Sequence, residues 1–192
     1  MNSPTTSRTI AVVSAGLSVP SSTRLLADRL SAATASALAQ RGHVADIQVV
    51  ELREHARHLA DNLITGFRNA QLGAAVELVT GADAVIAVTP IFSASYSGLF
   101  KTFFDVLDAG ALAGTPVLIG ATAGTARHSL VLEHAMSWWA LRAQRGAPPD
   151  TAHRARQQAS ASLLVADLRR PGVRSRRCNR ASRSSVARSS TR

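Results

Sequence analysis

The sequence predicts an α/β protein built on a doubly wound parallel sheet. Short apolar runs of strand length alternate with segments of helical periodicity, four times over. Three of those runs end in small turns rich in Ser, Thr and Gly, the form of a strand-to-helix loop. Right-handed crossovers between parallel strands then place helices on both faces.

The first run, TIAVVS at 9–14, reads as a buried strand. It leads through Ala15-Gly16-Leu17-Ser18-Val19-Pro20-Ser21-Ser22-Thr23-Arg24 into a helix marked by Leu26, Leu30, Ala33 and Ala37. Arg41-Gly42 supplies its stop signal. DIQVVE at 46–51 is the second strand, and residues 52–68, polar with His and Arg, are expected to be a surface loop. Leu72, Val76 and Val79 set a helix over 69–80, closed by Gly81.

The central stretch runs from Asp83 to Asp108. Ala84 to Val88 is long enough for a buried strand and too short for a helix. Thr89-Pro90 is expected to end it, since proline offers no N–H to the next rung. After the small loop Ser93 to Gly98, the residues Tyr96, Leu99, Phe100, Phe103, Phe104 and Leu107 fall at the spacing of an apolar helix stripe. TPVLIGA at 115–121 is the fourth strand, its proline near the start where it is tolerated. The turn Thr122-Ala123-Gly124-Thr125 follows, and then a helix over 127–141 with Leu130, His134 and Trp138 on one stripe.

At 192 residues, one domain with a full core is expected. No apolar run approaches the roughly 20 residues of a membrane span. Arg8 with the short run 9–15 reads as a first strand rather than a signal peptide. Cys178 is the only cysteine, which excludes a disulfide framework and a Cys-based metal site, and a cytoplasmic address is expected.

The net charge of +10 is distributed unevenly: residues 1–136 carry −1 and residues 137–192 carry +11, with thirteen Arg, two Asp and no Lys. The second segment loses the apolar periodicity, so it is expected to be largely disordered. An all-Arg tail of this kind is also what out-of-frame translation of GC-rich DNA yields. Clustered Arg neutralises phosphates. Residues 144–192 hold no Phe, Trp or Tyr and no reader motif, so nucleic acid is expected as no more than a non-specific, salt-sensitive partner.

Ligands of open parallel sheets bind at the carboxyl ends of the strands. There, Ser18, Ser21, Ser22 and Thr23 lie at the mouth of the first helix, where unpaired N–H groups and the positive dipole end favour an anion. Ser and Thr are equally ordinary N-caps, and the residues alone leave both readings open. The loop is neither a G-x-G-x-x-G fingerprint nor a Walker loop. His55 and His58, three apart without a third ligand, read as surface histidines rather than a metal site. Lys101 reads as a solvated helix residue, His134 as a core residue, and Trp138 and Trp139 as core or interface.

Loop one, TPIFSASYSGLFKTFFDVLD and ALAGTPVLIGATAGTARHSLVLEHA together resemble the NAD(P)H-dependent FMN reductases of the flavodoxin-like fold. The likeness is strongest with the flavin reductases that serve sulfonate monooxygenases. It covers residues 9–136 and rests on T-P-x-[YF]-x-x-S-x-S-G-x-x-K ending at Lys101 and T-x-G-x-x-x-H at 122–128.

The resemblance implies a flavodoxin-like strand order 2-1-3-4-5 and FMN with NADPH or NADH as cofactors. It implies hydride transfer from nicotinamide to flavin N5, with no metal and no catalytic side-chain acid or base. At matching positions, Gly16, Ser18, Ser21, Ser22 and Thr23 form the phosphate loop. Pro90, Ile91, Phe92 and Ser93 line one edge of the isoalloxazine, and Thr122, Ala123 and Gly124 its pyrimidine side, with backbone N–H groups near N5 and O4. Relatives often carry Arg where Ser18 stands, which makes Arg24 a candidate for part of the phosphate charge. Arg57, Arg68 and Arg127 are candidates for the 2′-phosphate of NADPH. The implied partners are small-molecule substrates, a flavin-dependent monooxygenase and further copies in a homodimer or homotetramer, with no membrane. Quinones or azo dyes as acceptors are a variant on the same fold.

The likeness stops after Met136, where the charge also changes. Residues 1–143 are therefore expected to form the FMN-binding domain and 144–192 an Arg/Ser-rich tail. The fifth strand and last helix are expected to be missing or replaced by that tail. Their loss leaves the fourth strand an open edge, and an inactive product on a compromised scaffold is the alternative reading.

Overall fold

The computed structural model describes residues 6–124 and, by backbone alone, 164–167. The elements are β1 (Thr6–Ser14), α1 (Ser22–Ala39), β2 (His43–Glu51), a 3₁₀ turn (Leu52–His55), α2 (Ala56–Thr65) and α3 (Ala70–Thr80). Then come β3 (Ala84–Phe92), β4 (Ser95–Tyr96), α4 (Gly98–Val106), β5 (Val117–Ala123) and β6 (Leu164–Asp167). The sheet runs β2-β1-β3-β5-β6, with β4 paired to β3 alone. All pairings along the main path are parallel, as the alternating text predicts.

Side-chain alternation along the strands builds two core layers. On one face, Ile10, Val12, Ile86 and Val88 pack under Leu26, Ala27 and Leu30 of α1. On the other, Ala11, Val13, Val85, Ala87 and Ile119 pack under Leu59, Leu72, Val76, Val79, Phe100 and Phe103 of α2, α3 and α4. The two phenylalanines are fully buried, each worth about 1.5–3 kcal/mol of transfer free energy. Gly120 lets α1 lie close to β5: a Cβ there would meet Leu30 Cδ1 at 3.0 Å.

Four expectations are corrected. Of residues 52–68, expected to be a loop, only 66–68 are one; Leu52 and Leu59 are buried and anchor the 3₁₀ turn and α2 over 52–65. Arg57 lies exposed on that helix while His55 and His58 are half-buried beside Leu59, and Gly66 ends it with φ 74°. Second, β3 passes through Pro90 to Phe92. Val85 N–H donates to the Pro116 carbonyl on the β5 side, and the Val88 carbonyl accepts from Ala15 on the β1 side. Alternation therefore turns the missing Pro90 donor toward β1, just past Ser14, where that strand has ended. Third, the Ser-rich segment forms a hairpin. Ser93 and Ala94, at φ 47° and 61°, turn the chain so that Phe92 pairs with Ser95 and Ile91 with Tyr96.

The fourth correction concerns the fifth strand, which is present. β6 pairs with β5 from Gly120↔Leu164 to Ala123↔Asp167, so β5 is not an open edge. The run LLVA is long enough for a short strand, and the average composition of an Arg-rich segment conceals it. The expectations for a helix over 127–141, for Arg127, His134, Trp138 and Trp139, and for a missing last helix lie outside the described residues. So does the disorder expected elsewhere in 144–192.

Candidate functional site

Register places three loops on one rim. Ser14 pairs with Val88, Val88 with Gly120 and Pro90 with Thr122, so β1, β3 and β5 deliver their carboxyl ends side by side. A direct bond ties two of them: Thr23 Oγ1 and Thr122 Oγ1 lie 2.9 Å apart, both side chains buried. Thr89 ties the third loop to its own hairpin. Its Oγ1 donates to the Pro90 carbonyl at 3.0 Å and accepts from Ser97 N–H at 3.1 Å.

The first loop is compact around Gly16. A Cβ there would meet Ser21 Oγ at 2.0 Å, so only glycine lets the chain fold back at this point. Ser21 is the N-cap of α1, its Oγ accepting from Arg24 N–H at 3.2 Å. Ser18 and Ser22 are exposed. Among the described residues, the N–H groups of Gly16, Leu17, Ser18, Ser21, Ser22 and Thr23 have no protein partner, which leaves several donors at the positive end of an 18-residue helix. Below them, Ser14 Oγ is fully buried on the α1 face with no partner among the described residues.

The expected lining residues divide by face. Thr122 faces the α1 layer through its bond to Thr23, and Pro90 and Phe92 follow Ile86 and Val88 onto that side. Phe92, Ser93 and Gly124 are exposed at the rim. Ile91 and Ala123 belong to the opposite core layer, so they bring backbone rather than side chain to the crevice. Leu17 and Val19 are exposed apolar residues on the first loop that sequence reading did not single out.

Of the charged candidates among the described residues, Arg57 lies exposed on α2, and Arg24 and Arg68 are already engaged. Arg24 Nε donates to Asp28 Oδ1 and its Nη1 to Glu51 Oε1, both at 2.7 Å. These bonds, with Glu51 the larger contributor, raise its guanidinium pKa further above the ordinary value. Arg68 donates to the Val106 carbonyl and to Asp108 Oδ1, and Lys101 pairs with Asp105. His55 and His58 lie with ring centroids 6.0 Å apart. Burial, and then the neighbouring His58, push the His55 imidazole below its usual value. Among the described residues, no three His, Cys, Asp or Glu side chains cluster as metal ligands.

The model of the NADPH-dependent FMN reductase family matches residues 8–159. The chain belongs to that family. The match extends past Met136, where the sequence likeness was expected to stop. An FMN reductase (NADPH) of Pseudomonas aeruginosa is 38% identical over 125 residues, 65% of this chain and 64% of the relative. An NADH-dependent FMN reductase, SfnF, of Pseudomonas fluorescens is 37% identical over the same shares. The matched part thus spans a little under two thirds of each relative's length. Among solved structures, an oxidoreductase from Corynebacterium diphtheriae superposes with TM-score 0.70 at 43% identity, covering 74% of this chain and 78% of that one. An NADH:FMN oxidoreductase in its apo form gives TM-score 0.58 at 32% identity, covering 67% and 65%.

Proposed function

We propose that this protein is an NAD(P)H:FMN oxidoreductase whose three rim loops hold the flavin. The observation that carries the reading is the convergence of the loops after β1, β3 and β5 on one edge, tied by the Thr23–Thr122 bond. Two features fit a phosphate group: the orphaned buried Ser14 hydroxyl and the Gly16 fold that bares the α1 N-terminus.

Gly16, Ser18, Ser21, Ser22 and Thr23 form the phosphate end in this reading. Ser18 and Ser22 donate hydroxyls while Ser21 keeps the helix start in place. Pro90 and Phe92 offer apolar surface to the ring, and Ser93 bounds it. Backbone at Ile91, Thr122, Ala123 and Gly124 lines the remaining edge. Bound FMN supplies the hydride-accepting chemistry, and the chain's task is to orient it and exclude water.

The reading extends to reduced flavin passed to a flavin-dependent monooxygenase, in the cytoplasm. No described helix is long and apolar enough to cross a membrane. It also includes a homodimer or homotetramer, supported by exposed Leu63 (65%), Ile64 (85%) and Phe67 (81%) at the end of α2. In this reading the flavin domain comprises residues 1–143 together with β6, the family match itself running on to residue 159.

The test is oxidation of NADPH and NADH by the purified full chain with and without FMN, followed anaerobically. FMN-dependent oxidation with bleaching of the flavin band supports the proposal, and turnover indifferent to FMN overturns it.

A further inference from the structure

Resting on the FMN reading, we infer that Glu51 is a positioning residue that holds Arg24 away from the phosphate end and thereby weakens the site's grip on a phosphoryl group. Arg24 is the third residue of α1, and its own N–H donates to the Ser21 cap, so its backbone belongs to the anion loop. Its guanidinium nevertheless turns to two carboxylates, Asp28 one helical turn on and Glu51 at the carboxyl end of β2. Glu51 is in register with Ser14, one strand from the loop.

The two carboxylates are not equivalent. The Asp28 side chain is 51% exposed and that of Glu51 is 11% exposed. Water screens the first, whereas a mostly buried carboxylate holds its partner firmly and is costly to leave unpaired. One guanidinium against two carboxylates leaves the cluster at −1 beside a site for a dianion. An arriving phosphate meets either that net negative charge or, if Arg24 swings to it, a stranded Glu51. In both cases Glu51 opposes the phosphate.

The Glu51→Gln substitution keeps an acceptor for Arg24 Nη1 while removing the charge. FMN and riboflavin, which lacks the phosphate, are titrated against the full chain by flavin fluorescence. Wild type, E51Q, D28N and the double variant E51Q/R24Q are compared, each with its melting temperature. E51Q is expected to tighten FMN by about tenfold and to leave riboflavin within about twofold. D28N does less, and adding R24Q abolishes the gain. An E51Q protein whose FMN-to-riboflavin ratio equals wild type overturns the inference. So does one that loses both flavins together with thermal stability, which marks Glu51 as a structural strut. If wild type binds neither flavin, the FMN reading falls and this inference with it. Binding of both at an unmoved ratio sinks the inference alone.

Discussion

Thr23 Oγ1 and Thr122 Oγ1 share a buried hydrogen bond of 2.9 Å across ninety-nine residues of chain. It fastens the first turn of α1 to the end of β5 and so fixes the width of the crevice between two loops. Thr23→Val leaves the Thr122 hydroxyl buried and unpaired, at about 1–3 kcal/mol. The double variant T23V/T122V is expected to cost less than the two single changes together. Urea unfolding of the full cycle measures the coupling, expected at about 1 kcal/mol.

Gly16→Ala sets a methyl group 2.0 Å from Ser21 Oγ. The cap hydroxyl must move off the Arg24 N–H, losing about 0.5–2 kcal/mol, and the loop opens with it. FMN affinity measured by fluorescence is expected to fall at least about tenfold, since loop geometry rather than one contact is lost. Removing the obstructing hydroxyl in G16A/S21G recovers part of that affinity. No recovery would show that the clash is not the cause.

These two contacts show how far the sequence was legible. Periodicity locates β1, α3 and β3 because each buries a simple stripe or run, and the Ser/Thr-rich turns after β1, β3 and β5 lie together on one rim. The Thr23–Thr122 bond was invisible because pairing across two crossovers leaves no local spacing. Helix α2 was missed because only Leu59 of its residues is buried and a polar text resembles a loop. β6 was missed because four residues of strand vanish in the average of an Arg-rich segment. Sequence alone makes Arg24 a candidate for phosphate charge: its i+4 spacing to Asp28 is legible, whereas its bond to Glu51, 27 residues away, leaves no local signal.

The β3–β4 turn carries two non-glycine residues at positive φ, Ser93 and Ala94. Ala94 has no polar side chain to offset that conformation. Ala94→Gly is expected to raise stability by about 1 kcal/mol, read as a higher urea midpoint. A destabilised A94G protein would contradict the turn geometry.

Among the described residues, two groups contribute a pH dependence of stability with a definite sign. His55 has a folded pKa below its ordinary 6.5, chiefly through burial. Stability is therefore full above 6.5 and falls as pH drops from there toward the folded value, because the unfolded chain takes the proton first. His55→Gln is expected to flatten that window. Asp83 accepts from Thr9 N–H and pairs with Arg8, which lowers its carboxyl below 3.8. Its contribution is present above that value and is lost as pH falls through the depressed pKa. Asp83→Asn removes it. Urea midpoints measured against pH for the two variants separate the windows.

The most direct measurement is hydrogen exchange of the full chain with and without saturating FMN. Slowed exchange confined to 16–24, 89–94 and 121–124 is expected, because those three segments leave adjacent strands at one rim. Unchanged exchange there, or protection at a different edge of the sheet, contradicts a shared flavin site.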